Sequence, residues 1–151
     1  MAESEDWWSK VPSMQNLPCN SVVANVKRMR SSSPDELLLN ASGYAYSDYP
    51  IERVDVSVDG GTTWKQCEIT YQEGQWSWAL WEGSVDLMLD EENVNSMMLA
   101  YDAAGGSSRG KLRVTVLSRA TDRAGRVQPL TYPWNLRGVG YCGAGEATVN
   151  V

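Results

Sequence analysis

Apolar and polar residues alternate with a period of two along most of this chain, and the rhythm is clearest in IERVDVSVDGGTTW at 51–64. There Val54, Val56 and Val58 alternate with Arg53, Asp55 and Ser57, which is the pattern of a half-buried strand. Asp59-Gly60-Gly61 then supplies the positive-φ positions of a tight hairpin, with the return expected through Trp64 to Ile69. Upstream, SVVANVKRMR at 21–30 predicts a first strand, Ser31 to Pro34 carry turn chemistry, and Leu37–Tyr46 predicts a second strand ending near Gly43. Downstream, QWSWALWEGSV places Trp76, Trp78 and Leu80 on one strand face and Ala79 and Trp81 on the other. Both faces are apolar, so one is expected in the core with Trp78 and the other at a rim or subunit contact. KLRVTVLSRATD puts Leu112, Val114 and Val116 on one face, RAGRVQP turns the chain, and a last strand is expected over Ala147–Val151.

About seven short strands with turn signals between them, and no stripe at the helical period, predict an all-β fold, an antiparallel sandwich. Two segments break the rhythm. Residues 1–20 read as an extended lead-in held down by Trp7 and Trp8, and 88–110 as a long insertion ending in a Gly/Ser run. The body of the domain is expected over 21–151.

Composition changes the picture mainly by exclusion. The chain has no histidine, which removes Ser-His-Asp and Cys-His catalysis, a histidine base and a histidine-ligated metal. A net charge of −6 with scattered basic residues opposes a phosphate backbone, so nucleic acid is not an expected partner. No apolar run reaches the roughly 20 residues of a membrane span, and the acidic N-terminus lacks the character of a signal peptide. Cys19, Cys67 and Cys142 are far apart and unpaired by spacing, so three reduced thiols are expected. The large rings are seven Trp and seven Tyr with no Phe, each carrying a polar tip, a combination that suits interfaces.

Four segments in order, LPCNSVV at 17–23, IERVDVSVDGGTTW at 51–64, WSWALWEGSV at 76–85 and RATDRAGRVQP at 119–129 leading into WNLRGV at 134–139, resemble the C-terminal dimerisation domain of the sulfite oxidase family, which also includes eukaryotic assimilatory nitrate reductase. The resemblance spans nearly the whole chain apart from 88–110. It implies an immunoglobulin-like sandwich that follows a molybdopterin-binding domain, and residues 1–20 resemble only the end of that domain. It also implies that the molybdenum cofactor belongs to the absent domain, since no cysteine here aligns with the metal ligand. Arg137 stands where the family's arginine reaches the anion pocket of the cofactor domain; a guanidinium fork suits an oxyanion, and an ordinary pairing beside Trp134 is the alternative. After WNLRGV the family continues with a Trp-His pair, whereas this chain reads GYCGAGEATVNV.

The remaining constellations have plainer readings. Asp90, Glu91 and Glu92 are expected to be solvated charge and Asp59-Gly60-Gly61 a turn, so no metal and no catalytic residue is assigned. The expected function is a non-catalytic protein-contact module, a structural subunit of a larger assembly; the alternative is the dimerisation part of a molybdenum-dependent sulfite oxidase or nitrate reductase. Trp7, Trp8, Trp81 and Met97 are the expected contact anchors, because aromatic residues dominate interface hot spots. The partners are then other proteins or a second copy, in an intracellular compartment that the resemblance implies is mitochondrial.

Overall fold

A computed structural model describes residues 13–29, 37–87, 113–134 and 139–150. Its eight strands are β1 (Asn20–Met29), β2 (Leu37–Tyr46), β3 (Ile51–Ser57), β4 (Lys65–Gln66), β5 (Glu68–Tyr71), β6 (Ala79–Leu87), β7 (Arg113–Asp122) and β8 (Gly145–Asn150). They form two four-stranded sheets, β1-β2-β6-β5 and β4-β3-β7-β8, with every pairing antiparallel. This is the immunoglobulin-like sandwich that the sequence predicts.

Period-two burial sorts the two faces of each sheet. In β2, Leu37, Leu39, Ala41 and Ala45 point inward, opposite Ala79, Trp81 and Val85 of β6. From the other sheet Ile51, Val54, Val56, Val114, Val116 and Ala120 complete the core. Residues paired across strands share a face, so a shift of one position would exchange the two sets.

The largest buried side chain is Trp81, 1% exposed. Gly43 lies directly opposite, and a Cβ there would meet the Val22 carbonyl and come within 2.6 Å of Trp81 Cζ2. Glycine is therefore required where the ring fills the inter-sheet space. Burial of such an indole stabilises the fold by several kcal/mol, at about 25 cal/mol per Å² of apolar area. Its Nε1–H has no partner among the described residues, a cost that the packing of the ring offsets.

Two details depart from the sequence reading. The hairpin turn stands where predicted, with Gly60 and Gly61 at φ 70° and 90°, but its return arm does not stay in one sheet. β4 pairs with β3, and after Cys67 the chain crosses over so that β5 pairs with β6. Cys67 is the pivot: its amide donates to the Val54 carbonyl at 2.8 Å, and its thiol occupies the space left by the missing side chain of Gly83. The second departure concerns phase. Ala79 and Trp81 face the core, while Trp78 and Leu80 are exposed, the reverse of the expected assignment for Trp78.

Candidate interaction surface

The residues that distinguish this sandwich gather at one end, where β1 begins, β2 and β7 finish and β6 starts. Polar side chains stitch the two sheets together there. Ser47, just after β2, donates to Asp122 Oδ2 at the end of β7 at 2.7 Å, and Arg126 Nε donates to the same carboxylate oxygen at 2.8 Å. The amides of Ala124 and Arg126 donate to Oδ1. Burial alone would push the Asp122 carboxyl up, but the bonds from Ser47 and from the backbone and side chain of Arg126, with the guanidinium charge, hold it below the ordinary carboxylate range. Arg126 also reaches Asp48, whose Oδ1 accepts from the Leu17 amide at 2.6 Å, so the network holds the incoming chain as well.

Gln128 is the second clasp. Fully buried, it accepts from the Ala120 amide at 3.0 Å and donates to Asn20 Oδ1 at 2.8 Å and to the Gly143 carbonyl at 2.7 Å. Asn20 in turn donates to the hydroxyl of Tyr46 and to the carbonyl of Tyr141. The 119–129 segment, legible in the sequence as a turn, thus joins β1, β7 and the residues before β8. Asp122, Arg126 and Gln128 were not singled out by the sequence reading; the one signal was a charged and amide set spaced around Gly125, which takes φ 78°.

On the outer face of the first sheet, one register row crosses all four strands: Val22, Tyr44, Leu80 and Tyr71. Tyr46 and Trp78 extend it toward the stitched end. Trp78 stacks on Tyr44 with centroids 4.6 Å apart, and its other ring neighbour is Tyr46 at 6.2 Å. Trp78 is 55% exposed, Leu80 45% and Tyr71 48%, and Trp76 in the preceding loop 78%. The next row, Ser42, Glu82 and Glu68, is polar. A second aromatic group lies on the irregular chain of the same end, where Tyr132 and Trp134 pack on Tyr141 at 6.2 and 5.7 Å.

The expected anchors fare differently. Trp81 is a core residue and presents no surface to a partner, because Gly43 admits its ring to the interior. Trp7, Trp8, Met97 and Arg137 lie outside the described residues, although the flanks of Arg137, Trp134 and Val139, are exposed. The three cysteines are buried and unpaired. Burial, with Asp122 and Asp55 nearby respectively, pushes Cys19 and Cys67 up to about 12, and burial raises Cys142 as well. All three are enclosed by the domain, Cys67 Sγ packed against Gly83, and among the described residues no cluster of three ligating side chains forms that a molybdenum or molybdopterin site would use.

Fold and surface together define an immunoglobulin-like contact domain. The profile of the Mo-co oxidoreductase dimerisation domain matches residues 11–142, and the chain belongs to that family. It is 26% identical over 146 residues to the mitochondrial sulfite oxidase of Rattus norvegicus, covering 90% of this chain and 23% of that protein. It is 30% identical over 156 residues to nitrate reductase [NADH] 1 of Arabidopsis thaliana, covering 92% of this chain and 14% of that protein. The chain therefore spans about a quarter or less of these relatives. Among solved structures, the sulfane dehydrogenase SoxCD of Paracoccus pantotrophus shares the fold, with a TM-score of 0.56 at 23% identity over 88% of this chain and 30% of that one.

Proposed function

We propose that this chain is a non-catalytic protein-contact module, a structural subunit held in a larger assembly by its exposed aromatic surfaces. The observation that carries the reading is the apolar row Val22, Tyr44, Leu80 and Tyr71 with Trp78 stacked beside it, on a domain of a dimerisation family. An apolar strip running the width of a sheet is costly to leave in water and marks a contact site. The reading assigns no catalytic residue: the chain has no histidine, and the described thiols of Cys19 and Cys67 are buried and held protonated near neutral pH. Residues 1–20 act in this reading as an extended lead-in to the body at 21–151, with Trp7, Trp8 and Met97 as further anchors and 88–110 as an insertion available for docking. The compartment is mitochondrial, by analogy with the rat relative.

The test is native fractionation of cells that make the protein. The chain is expected in fractions far larger than its 16.7 kDa mass, without sulfite-oxidising activity tracking it. Recovery as part of a polypeptide that carries molybdopterin and turns over sulfite would contradict the reading.

A second reading rests on WNLRGV, whose start lies among the exposed aromatic residues beside Tyr141. Here the chain serves as the dimerisation part of a molybdenum enzyme, and Arg137 grips the substrate anion at a separate cofactor domain. In the assembled enzyme, Arg137→Gln would then raise KM for sulfite more than it lowers kcat.

A further inference from the structure

We propose that the free edge of β8 takes up an extended segment of another protein as an added strand, one with apolar residues at alternate positions and a lysine or arginine beside Glu146. Neither the aromatic row nor a second copy enters into this, so it goes beyond the contact-module reading. A strand at the margin of a sheet leaves the N–H and C=O of every second residue without a ladder partner, and such a row is complementary to another extended backbone.

Four strands lie at the margins of the two sheets, β1, β5, β4 and β8, and three of them are blunted. β4 is two residues long and begins with Lys65. β5 has four residues, begins with Glu68 and slips register between Ile69 and Tyr71. β1 slips register between Val23 and Asn25, carries Lys27 and Arg28, and lies at its start under Gln128, whose side-chain amide reaches the Ser21 carbonyl at 3.4 Å. Shortness, bulges and charge are the devices that keep an edge from pairing. β8 has little of this: Gly145–Asn150 pairs one for one with Ser118 back to Arg113, without a bulge, a proline or a basic residue. At Gly145 the strand presses on the Ser21 carbonyl of β1, and from Glu146 onward no described backbone group outside β7 bonds to it.

The side chains of β8 specify the partner. Ala147 and Val149 pack on the core but are only partly buried, so the core is open at this edge, and the inward residues of an added strand would close it. Glu146, Thr148 and Asn150 point outward and are exposed, with the Thr148 hydroxyl 3.2 Å from that of Thr115. The added strand therefore alternates apolar with polar residues. Glu146 is the one charge on β8, and the chain as a whole carries −6, so a basic side chain is favoured there and an acidic segment is repelled. A second copy pairing through its own β8 brings another Glu146 and no cation, which is why the occupant is a different, basic segment.

The experiment is amide hydrogen exchange of the 15N-labelled full chain with a synthetic probe peptide, capped at both ends, in which valine and threonine alternate between two terminal lysines. Alternate amides within 146–150 should exchange freely in the chain alone and at least about tenfold more slowly with saturating probe, while the amides that face β7 stay as they were. A probe N-methylated at every second residue, with its methyl groups toward β8, should lose the effect, and one methylated at the other residues should keep it, a pattern that side-chain contact alone does not produce. Glu146→Lys, at an exposed site, should weaken the lysine probe several-fold and accept a probe ended in glutamate, whereas Trp78→Ser should change nothing. All β8 amides already slow in the isolated chain, no slowing at millimolar probe, or equal binding of the two methylated probes would overturn the added strand. Indifference to Glu146→Lys would overturn the basic residue, and protection that grows with protein concentration in the absence of probe would make the occupant a second copy and overturn the proposal. Each of these failures leaves the native fractionation, and with it the contact-module reading, untouched.

Discussion

Trp78 and Trp81 stand three residues apart and lead opposite lives. Trp81 fills the interior opposite Gly43, while Trp78 lies outside on Tyr44 with more than half its surface in water. Two faces of one sheet thus carry the same side chain, one filling the core and one stacked in the open. Aromatic content alone does not distinguish them. What does is the neighbour on β2: a glycine directly opposite makes room for the buried indole, and a nearby tyrosine offers the exposed one a ring to stack on.

The largest expected effect lies inside. Trp81→Ala should cost about 3–5 kcal/mol, read as a fall in the chemical denaturation midpoint with little change of slope. Gly43→Ala should cost about 1–3 kcal/mol, because the new methyl meets the Val22 carbonyl and the Trp81 ring. If Gly43→Ala were neutral, the pairing of glycine with indole would not be what fixes the inward phase.

Asp122→Asn should follow, at about 1–2 kcal/mol, since a charged hydrogen-bonding group is lost but its partner Arg126 is a third exposed and screened by water. The same residue sets an acid limb. Its folded pKa lies below the unfolded value, so ionised Asp122 stabilises fully above about pH 3.9 and the contribution fades as pH falls through the lower folded value. Denaturation midpoints of Asp122→Asn should therefore vary less than wild type between pH 4 and pH 2, about the ordinary carboxylate range. The smallest stability effect belongs outside: Trp78→Ser should change monomer stability by less than about 0.5–1 kcal/mol, measured at concentrations where only monomer is present.

Much of the architecture was legible. Leu37–Tyr46 is a strand with the predicted bounds, and Val54 and Val56 point inward as their alternation requires. Val114 and Val116 do the same, and the turn at Asp59-Gly60-Gly61 forms, its carboxylate accepting from the amides of Thr62 and Thr63. The phase of β6 was not legible, because period two says which residues share a face but not which face is inside, and both faces of WSWALW are apolar. The crossing at Cys67 was hidden for a related reason: β4 and β5 are a continuous run in the sequence, and the change of sheet depends on Gly83 in a distant strand. The clasp of Asp122, Arg126 and Gln128 was missed because buried polar residues in a turn look like surface ones until their partners, 75 to 108 residues away for Ser47 and Asn20, are placed beside them.

The contrast between the two indoles can be followed directly by the Nε1–H signals of the tryptophans in 15N-resolved NMR spectra of the full chain recorded after transfer to D2O. The account predicts that the Trp78 signal is lost at once while that of Trp81 persists. A Trp81 signal lost as fast as that of Trp78 would contradict it.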